Sequence, residues 1–212
     1  MDVPFFTRIF ILLTFASILH ELIWLPVPSI ASTYQLFLTK DGLTDPSNRL
    51  VKVRQWPSWM KSLLVVIPTG LSILIYALPA LVALFPNLLT WLNLLFWPVP
   101  FWVMGVGVIL VIIGRFITLR TTFTIRKNNS QMNDEFELKT EGMFNRMRNP
   151  GLVGLYVCFV GLWLLLPLWE TAIGFFLYIG NMHFRVLLEE AFLQWKFGEP
   201  YKLYLTTTRR YL

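Results

Sequence analysis

The sequence predicts an all-α fold, a multi-pass integral membrane helical bundle of about five spans that ends in a helical hairpin. Three observations carry that expectation. Of the 212 residues, 56% are hydrophobic and only 14% are charged, against about 25% charged in soluble domains. The mean hydropathy is +0.60, which is more apolar surface than one compact core can hide, so part of it must face lipid. Between Lys61 and Arg115 there is no charged residue at all. A span needs about 20 apolar residues, so that stretch holds two crossings and a connection.

The first span is expected from Phe5 to Trp24, with Arg8 near one end and His20 and Glu21 near the other. It resembles the apolar part of a signal peptide, but no small-x-small cleavage site follows it. The second and third spans read as Ser62 to Phe85 and Pro98 to Leu119, with Pro68 and Pro79 expected to bend the second. The connection Pro86 to Trp97 carries Asn87, Trp91, Asn93 and Trp97, the chemistry of an interfacial turn. The last apolar block, Gly151 to Phe184, is interrupted only by Pro167 and Glu170 and reads as a tight hairpin with short arms. Two regions follow: residues 1–135 with the N-terminal spans and a cytoplasmic loop, and residues 136–212 with the hairpin, a cytosolic pocket and a tail.

The basic residues test this layout, because Lys and Arg collect on the cytoplasmic side. Lys40, Arg49, Lys52, Arg54 and Lys61 border one loop; Arg115 and Arg120 close the third span; Arg126, Lys127, Lys139, Arg146 and Arg148 occupy the next loop. Arg185, Lys196, Lys202, Arg209 and Arg210 lie at the tail. With five spans and an external N-terminus all of them fall on one face, which puts the C-terminus in the cytoplasm of a bacterial inner membrane or endoplasmic reticulum. The net charge of +6 then matches an anionic bilayer surface rather than nucleic acid.

Few residues are left to carry chemistry. The lone Cys158 excludes an internal disulfide and a four-cysteine zinc site, and reads as a small core or lipid-facing residue. His20 and His183 are the only histidines, and neither has metal-ligand spacing around it. His20 and Glu21 are adjacent, so they point about 100° apart and read as interfacial or paired with another helix. Gly105 and Gly107 lie within a span, where helix packing is the common use of glycine. The cluster Arg185, Glu189 and Glu190 is different, because it follows the hairpin directly and sets two carboxylates and a guanidinium at the membrane edge. Arg185 and Glu189 are spaced to share a helix face, which also fits a plain solvated salt bridge. The run Arg146-Met147-Arg148-Asn149-Pro150-Gly151 precedes the hairpin, with Pro150 placed to start a helix. Two polar clusters therefore flank one apolar hairpin and can meet at a single mouth, a geometry suited to an amphiphile whose head reacts while its tail stays in lipid.

From Leu138 onward these residues form a recognisable order: Thr140 and Gly142, Arg148 and Pro150, Gly154, Arg185, Glu189-Glu190 with Leu193, then Phe197-Gly198 with Tyr201 and Tyr204. The C-terminal third resembles the isoprenylcysteine carboxyl methyltransferase family, membrane enzymes that use S-adenosylmethionine and are related to the phospholipid methyltransferases. The resemblance implies that Phe136, Glu137, Leu138, Lys139, the aromatic Phe144, the run Asn149, Pro150, Gly151 and Leu152, and the carboxylate of Glu189 bind S-adenosylmethionine. It implies that Arg185 faces the methyl acceptor; an amine acceptor would also need a base, for which Glu190 is the only nearby candidate. Three positions depart from the family pattern: Asn149 stands for its usual histidine, and Phe144 and Leu152 for usual tyrosines. The two missing hydroxyls remove hydrogen bonds worth about 0.5–1.5 kcal/mol each. The expected function is methyl transfer to an amphiphile, foremost carboxyl O-methylation of isoprenylcysteine. The alternatives are methylation of a phospholipid amine or a thiol, or a non-catalytic membrane scaffold.

Overall fold

The computed structural model describes residues 3–24, 42–129, 138 and 140–212. Within them every regular element is helical: α1 (Phe5–Trp24), α2 (Arg49–Arg54), α3 (Ser58–Leu84), α4 (Leu88–Trp91), α5 (Phe101–Asn129), a 3-10 turn (Gly142–Asn145), α6 (Pro150–Leu165), α7 (Trp169–Phe197) and α8 (Glu199–Thr207). Three of these, α3, α5 over Phe101–Ile125, and α7, are long and apolar enough to cross a membrane. The first helix coincides with the first expected span, and α6 is a shorter apolar helix. The result is the helical membrane bundle that composition demanded.

Local chemistry sets the helix ends. Asn48 caps α2 by accepting from Leu50 N at 2.9 Å, and its amide donates to Ala191 O of α7 at 3.1 Å, so one side chain both starts a helix and docks it. The third helix runs unbroken through Pro68 and Pro79; each proline lacks the N–H that would bond four residues back. Pro150 occupies the first turn of α6, where a missing N–H costs nothing. Gly142 and Gly198 sit at φ +63° and +58°, conformations that favour glycine.

The hairpin differs from its expected form in one arm. The first arm, α6, has 16 residues, or roughly 24 Å at 1.5 Å per residue. The second, α7, has 29 residues, roughly 43 Å against a hydrocarbon core of about 30 Å. It does not stop at Phe184, because no helix breaker occurs before Gly198 and the charges beyond Phe184 are paired. Arg185, Glu189 and Glu190 therefore ride on the C-terminal end of the same long helix rather than on a separate segment.

Packing fixes which ends lie together. The fifth and sixth helices meet backbone to backbone along an antiparallel seam of Gly107 and Gly114 against Gly161 and Gly154. A Cβ at Gly161 would lie 2.6 Å from Val111 N and one at Gly154 would lie 2.9 Å from Gly114 O. Cys158 is fully buried in this seam, so it is a core residue and not a lipid-facing one. Gly105 has open space around it, so of the two glycines expected to pack, only Gly107 does. At one end of the bundle the α4–α5 connection pairs with the hairpin turn: Trp97 N donates to Pro167 O, Trp169 N donates to Leu95 O (both 3.0 Å), and Leu95 N donates to Glu170 at 2.9 Å. The opposite end gathers α2, the 3-10 turn, the end of α7 and the tail.

The first helix is tied in at both ends. Arg8 donates to Ala83 O at 2.6 Å, meeting the negative end of the α3 dipole. Glu21 forms a buried ion pair with Arg115 at 2.7 Å and accepts from Thr122 at 2.7 Å. Of the two roles open to Glu21, pairing with another helix is the one it takes.

The backbones of the two hairpin arms stay apart, α6 lying on α5 and α7 on α3. Aromatic rings fill the space between the arms. Phe159 of α6 stands 5.3 Å from Phe175 and 5.5 Å from Tyr178 of α7, both edge-on, with Tyr76 of α3 at 4.1 Å beneath.

Candidate active site at the hairpin mouth

The mouth is built from three chain segments. Arg148, on the loop before α6, reaches Glu190 near the end of α7 at 3.1 Å, and both side chains are about nine-tenths buried. Its other guanidinium nitrogen donates to Leu205 O and Thr208 O at 3.0 and 3.1 Å. Arg210, from the tail, grips Glu190 through Nε at 3.0 Å and Nη2 at 2.7 Å. The two polar flanks of the hairpin thus meet at one mouth, with Glu190 clamped between two arginines. Two guanidiniums on a carboxylate offset its desolvation, and the fork on the Arg210 side fixes its orientation. The same hydrogen bond to Glu190 pushes the pKa of Arg210 up, against the opposing effect of burial.

Backbone contacts complete the assembly. Arg148 N donates to Arg209 O at 2.8 Å, Asn149 Nδ2 donates to Arg210 O at 3.2 Å, and Tyr204 OH donates to Phe144 O at 2.6 Å. The last bond holds the 3-10 turn against α8. Burial pushes the Tyr204 hydroxyl up to about 12, partly offset by the Arg148 charge.

The residues expected to hold the cofactor and acceptor divide as follows. Arg185 donates through Nε to Glu189 Oε1 at 2.9 Å, and Glu189 stays 39% exposed, so this carboxylate faces outward while Glu190 faces the clamp. Phe144 is half-buried on the 3-10 turn, and Leu138 is half-buried. Asn149 is half-buried and precedes α6, with no side-chain cap bond to the helix. The side chains of Pro150 and Leu152 are buried in the bundle, and a Cβ at Gly151 would meet Thr121 of α5 at 3.3 Å. The side chains of Pro150 and Leu152 are therefore committed to packing within the bundle. Phe136, Glu137 and Lys139 lie outside the described residues. Among the described residues, no group of three His, Cys, Asp or Glu side chains comes together to hold a metal ion.

Two mouth residues were not foreseen. Arg210 meets the residue before α6 through the Asn149 amide, and Tyr211 lies against α7, its OH 3.1 Å from His183 Nδ1. The adjacent Arg209-Arg210 pair was a signal, since the mouth holds a carboxylate to receive one of them.

Residues 102–200 match the sequence model of the phospholipid methyltransferase family, the family that includes the isoprenylcysteine and phospholipid methyltransferases. The resemblance read from the motifs is thereby borne out, and the matched stretch starts further upstream than those motifs, at the head of α5. It takes in the glycine seam, the hairpin and the acidic pair, and stops at the start of α8. No curated protein and no solved structure gives a match.

Proposed function

We propose that the protein is an S-adenosylmethionine-dependent methyltransferase that modifies an amphiphilic acceptor at the membrane edge, foremost the carboxylate of an isoprenylcysteine. The observation that carries this reading is the meeting of the hairpin flanks: Arg148 holds Glu190 at 3.1 Å and leaves the Arg185–Glu189 pair at the rim. A soluble cofactor can approach that rim from water, and an acceptor can approach it from lipid. We assign the mouth to the cytoplasmic face, because the basic residues gather at that end.

The residues present fit the cofactor. Glu189 offers a partly exposed carboxylate to a cationic group, Phe144 offers a half-buried ring for stacking or cation–π contact, and the first-turn N–H groups of α6 suit an anionic one. Phe136, Glu137, Leu138 and Lys139 complete the proposed enclosure. S-adenosylmethionine supplies an activated methyl group on a sulfonium. Arg185 would hold the acceptor carboxylate in a fork and so fix its orientation for methyl transfer. An ionised carboxylate needs no general base, so alignment and exclusion of water supply the catalysis.

The family description favours a second reading, a phospholipid amine as acceptor. Arg185 would then bind the phosphate, and Glu190 would be the candidate base. Both Glu190 oxygens are already engaged by guanidinium donors, so that reading needs the clamp to loosen. A thiol acceptor, or a scaffold that binds lipid without turnover, completes the alternatives. Calorimetry with S-adenosylhomocysteine separates the scaffold, which gives no saturable binding at millimolar ligand.

Substitution of Arg185 separates the acceptors. With a prenylcysteine substrate, Arg185→Ala should sharply lower turnover and leave cofactor affinity nearly intact, and Arg185→Lys should be nearly as damaging because it keeps the charge but loses the fork. Near-normal turnover in both variants would remove Arg185 from the site.

A further inference from the structure

Beyond α8 the chain doubles back along α7. Arg210 sits at Glu190, and Tyr211 reaches His183, about two helical turns nearer the bundle centre. The Tyr211 ring lies 6.0 Å from the His183 ring on α7 and 6.5 Å from the Tyr156 ring on α6. The Tyr156 ring also packs edge-on against Phe175 and Tyr178 of α7, at 5.9 and 6.4 Å, so Tyr211 lies over the seam where the rings of the two hairpin arms meet. Beneath it, the Tyr156 hydroxyl is buried and has no hydrogen-bond partner among the described residues. A buried hydroxyl in that state is poised for a ligand that brings an acceptor oxygen.

We propose that residues 208–211 are a cap over the acceptor's entrance between α6 and α7, and that Tyr156 is a positioning residue that hydrogen-bonds an anionic oxygen of the head group once Tyr211 lifts. The inference rests on the methyltransferase reading for the word acceptor, and on geometry alone for the cap. The attachments are unequal. At the hinge two arginines share the Glu190 carboxylate in charge-assisted bonds, whereas Tyr211 is held by one hydrogen bond to a ring nitrogen and by ring contacts. The cap therefore lifts from its Tyr211 end. A carboxylate or a phosphate presents the oxygen that Tyr156 needs, and the Arg185 variants tell those sources apart.

Two measurements on the full chain in detergent test this. With Cys158→Ser as background, a cysteine placed by Tyr156→Cys should react slowly with a water-soluble maleimide, and adding Tyr211→Ala should speed the reaction at least tenfold. An unchanged rate overturns the cap. With whichever membrane lipid takes a labelled methyl group, Tyr211→Ala should lower the acceptor KM severalfold with kcat within twofold, while Tyr156→Phe should raise KM severalfold with unchanged Tm and S-adenosylhomocysteine affinity. A Tyr211→Ala variant with unchanged or raised KM overturns the gating role, and an unchanged KM in Tyr156→Phe overturns the positioning role. If no lipid takes the label, the methyltransferase reading fails and the maleimide rates still decide the cap.

Discussion

Glu189 and Glu190 are chain neighbours, yet they point about 100° apart around α7 and meet different worlds. Glu190 is 12% exposed between Arg148 and Arg210, and Glu189 is 39% exposed beside Arg185. Glu189→Gln should weaken S-adenosylhomocysteine binding roughly ten- to a hundredfold, the value of about 1.5–3 kcal/mol for a charge-assisted bond. Glu190→Gln should weaken binding less and instead lower thermal stability, by about 3 kcal/mol, because two guanidiniums lose their carboxylate. Equal small effects on binding would return the pair to a surface salt bridge. Tyr204 adds a pH test with a definite sign. Its folded pKa, about 12, lies above the ordinary tyrosine value of about 10, so its contribution is complete below pH 10 and is lost as pH rises towards 12. Tail stability followed by near-ultraviolet absorbance should be flat from pH 6 to 9 and fall above that. The Arg185–Glu189 pair was legible in the sequence, since its spacing alone puts both on one face. The Arg148–Glu190 and His183–Tyr211 contacts were not, because chain separation carries no sign of which distant residues meet.

At the scale of elements, the glycine seam between α5 and α6 decides how closely the family stretch packs. Gly107 and Gly114 lie seven residues apart, as do Gly154 and Gly161, so each pair returns to the same helix face after about two turns. Small residues at such spacing let helix backbones touch in a membrane, where lipid offers no hydrophobic drive for association. Gly114→Leu should prevent correct assembly, because even a Cβ there collides with the backbone at Cys158, whereas Gly105→Ala should be neutral. Size-exclusion monodispersity and Tm in detergent check both. The positions of α3 and α5 were legible from the charge-free run between Lys61 and Arg115, because lipid forces apolar length. The length of α7 was not, since Arg185 and Glu189 read as one helix face just past the hairpin, with no sign in the sequence that this helix continues the second arm. Gly107 and Gly105 looked alike in sequence, and only the partner helix separates them.

For the whole molecule, alternation of the helices sets the two ends apart. Hydrogen bonds join the Leu95–Trp97 connection to the hairpin turn, while the tail closes over the mouth at the other end. A reporter fused after Leu212 should therefore read cytoplasm and one inserted within Asn87 to Trp97 the opposite side; the same side for both would break the five-span order. The first helix lies upstream of the family stretch and is held by the buried Glu21–Arg115 pair, so Glu21→Ala should destabilise the bundle by about 3–5 kcal/mol through an unpaired buried arginine. The central claim, methyl transfer to an amphiphile at the mouth, is tested most directly by incubating the purified protein with S-adenosylmethionine labelled in its methyl group, total membrane lipid and a prenylcysteine analogue. Label should appear in the organic extract, be released by mild base as from a methyl ester, and be lost in Arg185→Ala. Absence of label from every acceptor, together with no saturable binding of S-adenosylhomocysteine, would contradict it.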